Sequence, residues 1–398
     1  MGFQKVLSCA LSHDLSASVK QAHHNAIRTL LALSLLSQHT QRLHGAALPR
    51  LRYHAALNWD KWTPLVKSYA AYAIGAALVD TEIQVSDEEL VAMNVDKGMM
   101  TLVDADRQAE MLAHLSDHLI RASHASGGSA GNSMIATALM GAPTYMSCKV
   151  AKDDDGDIYL ADLEASGVAH GLSNQRQDGV TGKCLVLITP DAERSLNTNL
   201  AISETLSVDE VNESAIRESE WVYLEGYLVT SPTGHAAALK TKALADQHGV
   251  LTAVSFSDPG MVKFFRDNME AMVEGGVELV FCNESEALEW GQCDDIEGAI
   301  AAIKQVARRF VITLGAEGAI TWDGTTLHRT NAQPVKAVNT NGAGDMFAGA
   351  FLYALSRGES DLRATEFATL AAGEVVKYFG PRLDRDACLD LRRQFFGD

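Results

Sequence analysis

Late in the chain the residues read Asn339-Thr340-Asn341-Gly342-Ala343-Gly344-Asp345-Met346-Phe347, small residues that give way to an aspartate and then an apolar run. Glycines at 342 and 344 let backbone approach a ligand closely. A helix opening here would aim its unpaired N–H groups, including that of Ala343, and the positive end of its dipole at an anion. Asp345 would then stand inside the anion site as an ionised carboxylate within reach of a substrate hydroxyl. That is where a general base is needed when an alcohol attacks phosphorus. Taken alone, the tetrad reads better as an ordinary Gly-rich strand–helix turn with Asp as an N-terminal cap, and the rest of the chain decides against that.

Four more clusters carry donors and acceptors. Gly127-Gly128-Ser129-Ala130-Gly131-Asn132 precedes an apolar helical stretch, so Gly128 allows close backbone approach and Asn132 reaches a ligand hydroxyl, or the segment is a loop with a polar cap. Asp80 follows the apolar run Ile74–Val79, and its carboxylate can accept two hydrogen bonds from a vicinal diol or simply be solvated. Asn283 and Glu286, just after Leu279-Val280-Phe281-Cys282, share one face of a helical first turn. They suit Mg²⁺ held through its waters, or a helix cap with no metal. Thr313, Gly315 and Gly318 follow a fourth apolar run, where a nucleotide could lie on backbone and a plain turn is the competing reading.

Alternating strand and helix patterns must position these clusters. Strands are predicted at 222–228, 251–256, 277–282, 310–314 and 335–339, with a β-pair around 318–327. Helices are predicted at 234–248, 261–273, 295–308, 345–356 and 362–378. Apolar strands alternating with helices imply a mostly parallel sheet covered on both faces, with ligands at the strand carboxyl ends. Segments 74–80, 144–150, 182–189 and 194–200 read as short strands of a small second sheet, a lid drawn from about 75–100 and 144–200. Closing such a lid over a phosphoryl donor excludes water.

Composition narrows the partners. The 398 residues carry a net charge of −18, which excludes a basic nucleic-acid surface. Six scattered cysteines without metal-ligand spacing suit a reducing, cytoplasmic setting. Residues 1–68 hold eight Lys/Arg against two Asp, whereas 69–398 hold 25 against 49 acids. This first segment is expected to be a weakly ordered extension or to lie upstream of the true start. No run is long enough to predict a membrane span, and Gly182-Lys183 lacks the spacing of a Walker loop.

The order Gly-Gly-x-x-x-Asn, Asn-x-x-Glu, Thr-x-Gly-x-x-Gly and Asn-Gly-Ala-Gly-Asp over residues 69–398 resembles the ribokinase-like (PfkB-type) sugar and nucleoside kinases. Within that family, Thr181-Gly182-Lys183-Cys184, Glu193–Ala201 and Leu224-Glu225-Gly226-Tyr227-Leu228 are similar to segments of adenosine kinases. The resemblance implies a three-layer α/β/α sandwich with a β-sheet lid. It also implies ATP and Mg²⁺, and transfer to the 5′-hydroxyl of a ribonucleoside, adenosine first, in purine salvage. Asp345 would be the base, with the N–H groups of Gly342, Ala343 and Gly344 stabilising the transferring phosphoryl group. Asp80, Gly128, Ser129 and Asn132 would hold the ribose, and Arg194 in the lid would approach the phosphates. Thr313, Gly315, Gly318 and Asn341 would face the nucleotide, and Asn283 and Glu286 the Mg²⁺. A monomer or a lid-mediated homodimer is expected.

Two positions depart from the pattern. Asn339 stands where the family usually has an Asp linked in some members to a monovalent cation, and Ala76-Ala77 stand where adenosine kinases typically have Asn-Pro. A kinase for ribose, fructose, inosine or guanosine, and a non-catalytic nucleoside-binding protein, are the competing functions.

Overall fold

The computed structural model describes residues 67–116, 123–172 and 176–398. The expectation for residues 1–68 falls, up to residue 66, outside the described residues. In chain order the strands are β1 (Tyr69–Ile74), β2 (Leu78–Gln84), β3 (Met100–Leu102), β4 (Ser123–Gly127), β5 (Thr144–Ser147), β6 (Val168–His170) and β7 (Gly182–Ile188). They continue as β8 (Arg194–Asn199), β9 (Ser219–Glu225), β10 (Leu251–Ser255), β11 (Val277–Asn283), β12 (Ala307–Thr313), β13 (Ala319–Trp322) and β14 (Leu327–Thr330).

Nine of them form one sheet in the order β14-β13-β12-β11-β10-β9-β1-β5-β6, antiparallel only where β13 meets β12 and β14. The central strands carry continuous apolar runs, such as Trp221–Leu224, Leu279–Cys282 and Phe310–Ile312, because both faces are covered. Ala71 and Ala73 of β1, with Trp221 and Tyr223 of β9, face a core shared with helices Ser129–Leu139, Ala343–Ser356 and Asp361–Val375. Tyr72 and Ile74, with Val222 and Leu224, face the opposite core under helices Pro232–His248, Arg266–Val273 and Glu284–Gly291. Strand order runs outward in both directions from the β1–β9 pair. The crevice beyond their carboxyl ends is therefore where an open α/β sheet binds its ligand.

The second sheet has the order β3-β8-β7-β2-β4. Along β7 the side chains alternate: Cys184, Val186 and Ile188 form one cluster with Leu78, while Leu185 and Leu187 pack with Leu90, Met93, Met111 and Leu115. These last residues belong to helices Asp87–Ala92 and Ala105–His114 or directly follow them. One lid face is thus covered by two helices, and the other is left for the crevice.

Several predicted elements change. Segment 74–80 is not one lid strand. It divides at Gly75-Ala76-Ala77 into β1 of the large sheet and β2 of the lid. Glycine is needed at position 75 of this break, because a Cβ there would lie 2.6 Å from the Glu225 carboxyl carbon. Segment 144–150 gives β5, which is buried on both faces and pairs with β1 and β6 in the large sheet rather than in the lid. Strand β4 was not anticipated, since Ser-His-Ala-Ser-Gly has no β-branched residue to signal it. The predicted helix 295–308 ends at Ile303, and β12 begins at Ala307. No strand forms at 335–339, because Val338 and Asn339 donate their N–H groups to the Val376 carbonyl instead of to a ladder.

Candidate active site

The apolar run Met346–Ala354 is buried along its length, which explains why helix Ala343–Ser356 sits in the core. A Cβ on Gly349 would lie 2.6 Å from the Ser133 carbonyl oxygen and 2.7 Å from the Ala136 Cβ, so this helix and Ser129–Leu139 touch backbone to backbone. The Thr137 hydroxyl fixes the contact by donating to the Gly349 carbonyl at 2.9 Å. Close packing brings the first turns of the two helices to one place. They begin at Gly342 (φ 73°) and Gly128 (φ 87°), and neither has a side-chain cap. Only glycine fits at either cap, because a Cβ would lie 2.0 Å from the Pro381 oxygen or 2.2 Å from the Ala76 oxygen. The first turns of both helices therefore adjoin one cavity of about 350 Å³, although the Ala343 N–H is donated to the Thr340 carbonyl at 3.3 Å and the Ala130 N–H to the Glu225 carboxylate at 2.7 Å.

Asp345 lies where the two turns meet. The Ser129 hydroxyl donates to its Oδ1 at 2.7 Å and the Asn132 amide to its Oδ2 at 2.9 Å. The Asn132 amide cannot turn over freely, because its oxygen accepts from Arg382 at 3.1 Å and Arg382 also pairs with Asp162 at 2.5 Å. Burial raises the Asp345 pKa, while the Ser129 and Asn132 hydrogen bonds and the charges of Arg194 and Arg382 oppose that rise. A carboxylate so placed can take a proton from a hydroxyl delivered into the cavity.

Among the anticipated residues, Asp80, Gly128, Ser129, Asn132 and Arg194 line this cavity, as do Asn283, Glu286, Thr313, Asn341 and the 342–345 corner. Asp80 is buried with its carboxyl against Gly127, where a Cβ would come within 2.1 Å of it. Gly315 and Gly318 do not line the cavity. A Cβ on Gly318 would meet the Thr330 oxygen at 1.9 Å, so this glycine serves the turn beside β14. Asn283 and Glu286 form a reciprocal helix cap: Glu286 donates its N–H to the Asn283 oxygen at 2.8 Å, and its carboxylate accepts the Asn283 N–H at 3.0 Å. Asn132 serves Asp345 rather than standing free for a ligand hydroxyl.

Sequence reading holds Glu225 only as a member of a family-like segment, with no role, and does not single out Arg382. Glu225 closes β9 at the β1–β9 crevice, and its buried carboxylate accepts the N–H groups of Ala76 at 2.8 Å and Ala130 at 2.7 Å. It thus ties the lid hinge to the start of the Ser129–Leu139 helix. No spacing signal points to either residue, because their partners lie about 95 to 250 positions away.

Burial pushes the carboxyls of Asp80, Glu225 and Glu286 each up to about 7. Between roughly pH 4 and pH 7 the native protein holds protons that the unfolded chain has released, so stability falls as pH rises through that window. Melting temperatures of the ligand-free protein should accordingly decline from pH 4.5 to pH 7.5 and then level off. A rise across that interval would contradict burial as the dominant influence on these groups.

A Gly-rich helix start, a buried carboxyl facing the cavity and a lidded crevice on an α/β sheet suit phosphoryl transfer to an alcohol. The model of the pfkB family carbohydrate kinases matches residues 93–388 of the chain. The chain belongs to that family. Within this pfkB family, a "probable sugar kinase protein" from Rhizobium etli CFN 42 is 32% identical, with a TM-score of 0.78 over 82% of this chain and 98% of its own. An adenosine kinase from Sinorhizobium meliloti is also 32% identical, with a TM-score of 0.77 over 82% of this chain and 99% of its own. Adenosine kinase 2 of Arabidopsis thaliana is 27% identical over 332 residues, 77% of this chain and 93% of its own. The fold is the ribokinase-like α/β/α sandwich, and the protein is an ATP-dependent kinase with an alcohol group as acceptor.

Proposed function

We propose that this pfkB-family kinase transfers the γ-phosphoryl group of ATP to the 5′-hydroxyl of adenosine. The observation that carries the reading is the composition of the cavity wall. Asp80 stands beside an apolar lid face made of Leu78, Cys184, Leu196 and Leu200, with Ala76 at its edge. A ribose diol would bond Asp80 while a flat purine covers the apolar face. A free hexose or pentose would leave that face without a matching surface.

In the proposed reaction the acceptor oxygen forms its bond to the γ-phosphorus as the bond to the ADP oxygen breaks, and the hydroxyl proton passes to Asp345. The N–H groups of Gly342 and Gly344 meet the charge on the transferring phosphoryl group, while that of Ala343 is already donated to the Thr340 carbonyl at 3.3 Å, and Arg194 in the cavity wall adds a cation. Mg²⁺ would neutralise the donor phosphates. No group of three metal-ligating side chains occurs among the described residues, which fits a cation held by phosphates and water beside Asn283 and Glu286 rather than in a protein cage. Because two helices cover the outer lid face, a monomer is the expected state, working in cytoplasmic purine salvage.

The test is phosphorylation by the purified protein with MgATP of adenosine, inosine, guanosine, ribose and fructose. Adenosine should give the highest kcat/KM, and preference for a free sugar would overturn the proposal. Asp80→Ala should act chiefly on acceptor KM. Two hydrogen bonds, about 0.5–1.5 kcal/mol each to the neutral carboxyl and about 1.5–3 kcal/mol each to the carboxylate, would be lost. An unchanged KM would place the diol elsewhere.

A further inference from the structure

Glu82 lies two residues beyond Asp80 on β2 and is likewise buried, yet it is absent from the cavity wall. Its Oε1 accepts from the side-chain amides of Asn339 at 3.1 Å and Asn341 at 2.9 Å, and its Oε2 accepts the Gly380 N–H at 2.7 Å. Asn339 is fully buried and in turn accepts the Asn341 N–H on its own oxygen at 2.9 Å. No ion pair to Glu82 occurs among the described residues, so its charge is met by these donors alone.

The placement of those donors gives Glu82 its meaning. Asn341 immediately precedes Gly342, the cap of the Asp345 helix. Gly380 immediately precedes Pro381, whose carbonyl oxygen packs where a Cβ of Gly342 would be. Arg382, next in line, holds the amide that holds Asp345. One carboxylate on a lid strand therefore anchors both segments that pin the anion corner.

We propose that Glu82 is a positioning residue that sets the geometry of the Gly342–Gly344 corner from the lid strand carrying Asp80. The inference rests on the kinase reading of the site. It also accounts for the amide at 339: a carboxylate there would face another carboxylate, and here the acid comes from the other side of the hydrogen bond.

Moving the carboxylate back across that bond tests the proposal. Glu82→Gln keeps the shape but sets an amide nitrogen against at least one of the donors. Turnover should drop roughly 10–100-fold, as for a corner displaced by a fraction of an ångström, with acceptor KM changed by less than about threefold. Asn339→Asp alone, which opposes two carboxylates, should also be impaired. The double variant Glu82→Gln/Asn339→Asp restores one carboxylate and should regain turnover to within about threefold, a coupling that independent sites would not give. Undiminished turnover in Glu82→Gln would overturn the inference, and so would a double variant no better than the worse single one. Hydrogen exchange at the amides of residues 341–344 reads the same geometry without substrate. It should speed up in Glu82→Gln and recover in the double variant. An unmodified protein inactive on every acceptor would count against the proposed function alone, and unchanged exchange in Glu82→Gln against the role of Glu82.

Discussion

Asp345→Asn is expected to lower turnover by roughly 10²–10⁴-fold while the protein folds normally. The substituted amide has the shape of the carboxylate, and its oxygen can still accept from Asn132. Its nitrogen then faces the Ser129 hydroxyl, which can rotate to accept. Removing a buried charge whose pKa is raised by burial should leave the melting temperature equal or higher. Only proton acceptance is lost. Steady-state kinetics on the acceptor with the highest kcat/KM, paired with a thermal melt, checks both halves. Turnover near that of the unmodified protein would remove Asp345 from the reaction.

The second large effect is a contrast between neighbours. At Gly344 a Cβ meets nothing within 4 Å, whereas at Gly342 it meets backbone of Pro381 at 2.0 Å with φ at 73°. Gly344→Ala should therefore fold with an unchanged melting temperature and yet lose turnover, because its methyl group would enter the space the phosphoryl group needs at a cavity wall. Gly342→Ala should lose both. Left-handed backbone costs a non-glycine residue about 1–3 kcal/mol before the clash with Pro381 is counted. If Gly344→Ala were fully active, the phosphoryl group would lie elsewhere, and if Gly342→Ala melted normally the clamp by Pro381 would be of no consequence.

What could be read in advance divides along physical lines. Central strands such as β9 and β12 are legible because burial on both faces writes itself as a continuous apolar run. Helix Ala343–Ser356 is legible from its glycines and its long apolar face. The lid is harder. Its membership depends on which sheet a short strand joins, and β1 and β2, separated only by Gly75-Ala76-Ala77, pair in different sheets. Residues in the cavity were found through motifs whose members are close in sequence. Glu82, Glu225 and Arg382 escaped because each acts on groups many positions away and carries no local mark of doing so.

The pairing of β1 with β5 on one side and β9 on the other also bears on biosynthesis. As the nascent chain leaves the ribosome, β1 can meet β5, and β5 can meet β6, but the other edge of β1 stays bare until residues 219–225 emerge, leaving hydrogen-bonding groups and apolar side chains exposed in the interval. Asp345 arrives later still. Ser129 and Asn132 wait for its carboxylate 216 and 213 positions downstream, so a partly translated kinase can assemble one wall of the cavity before that carboxylate exists.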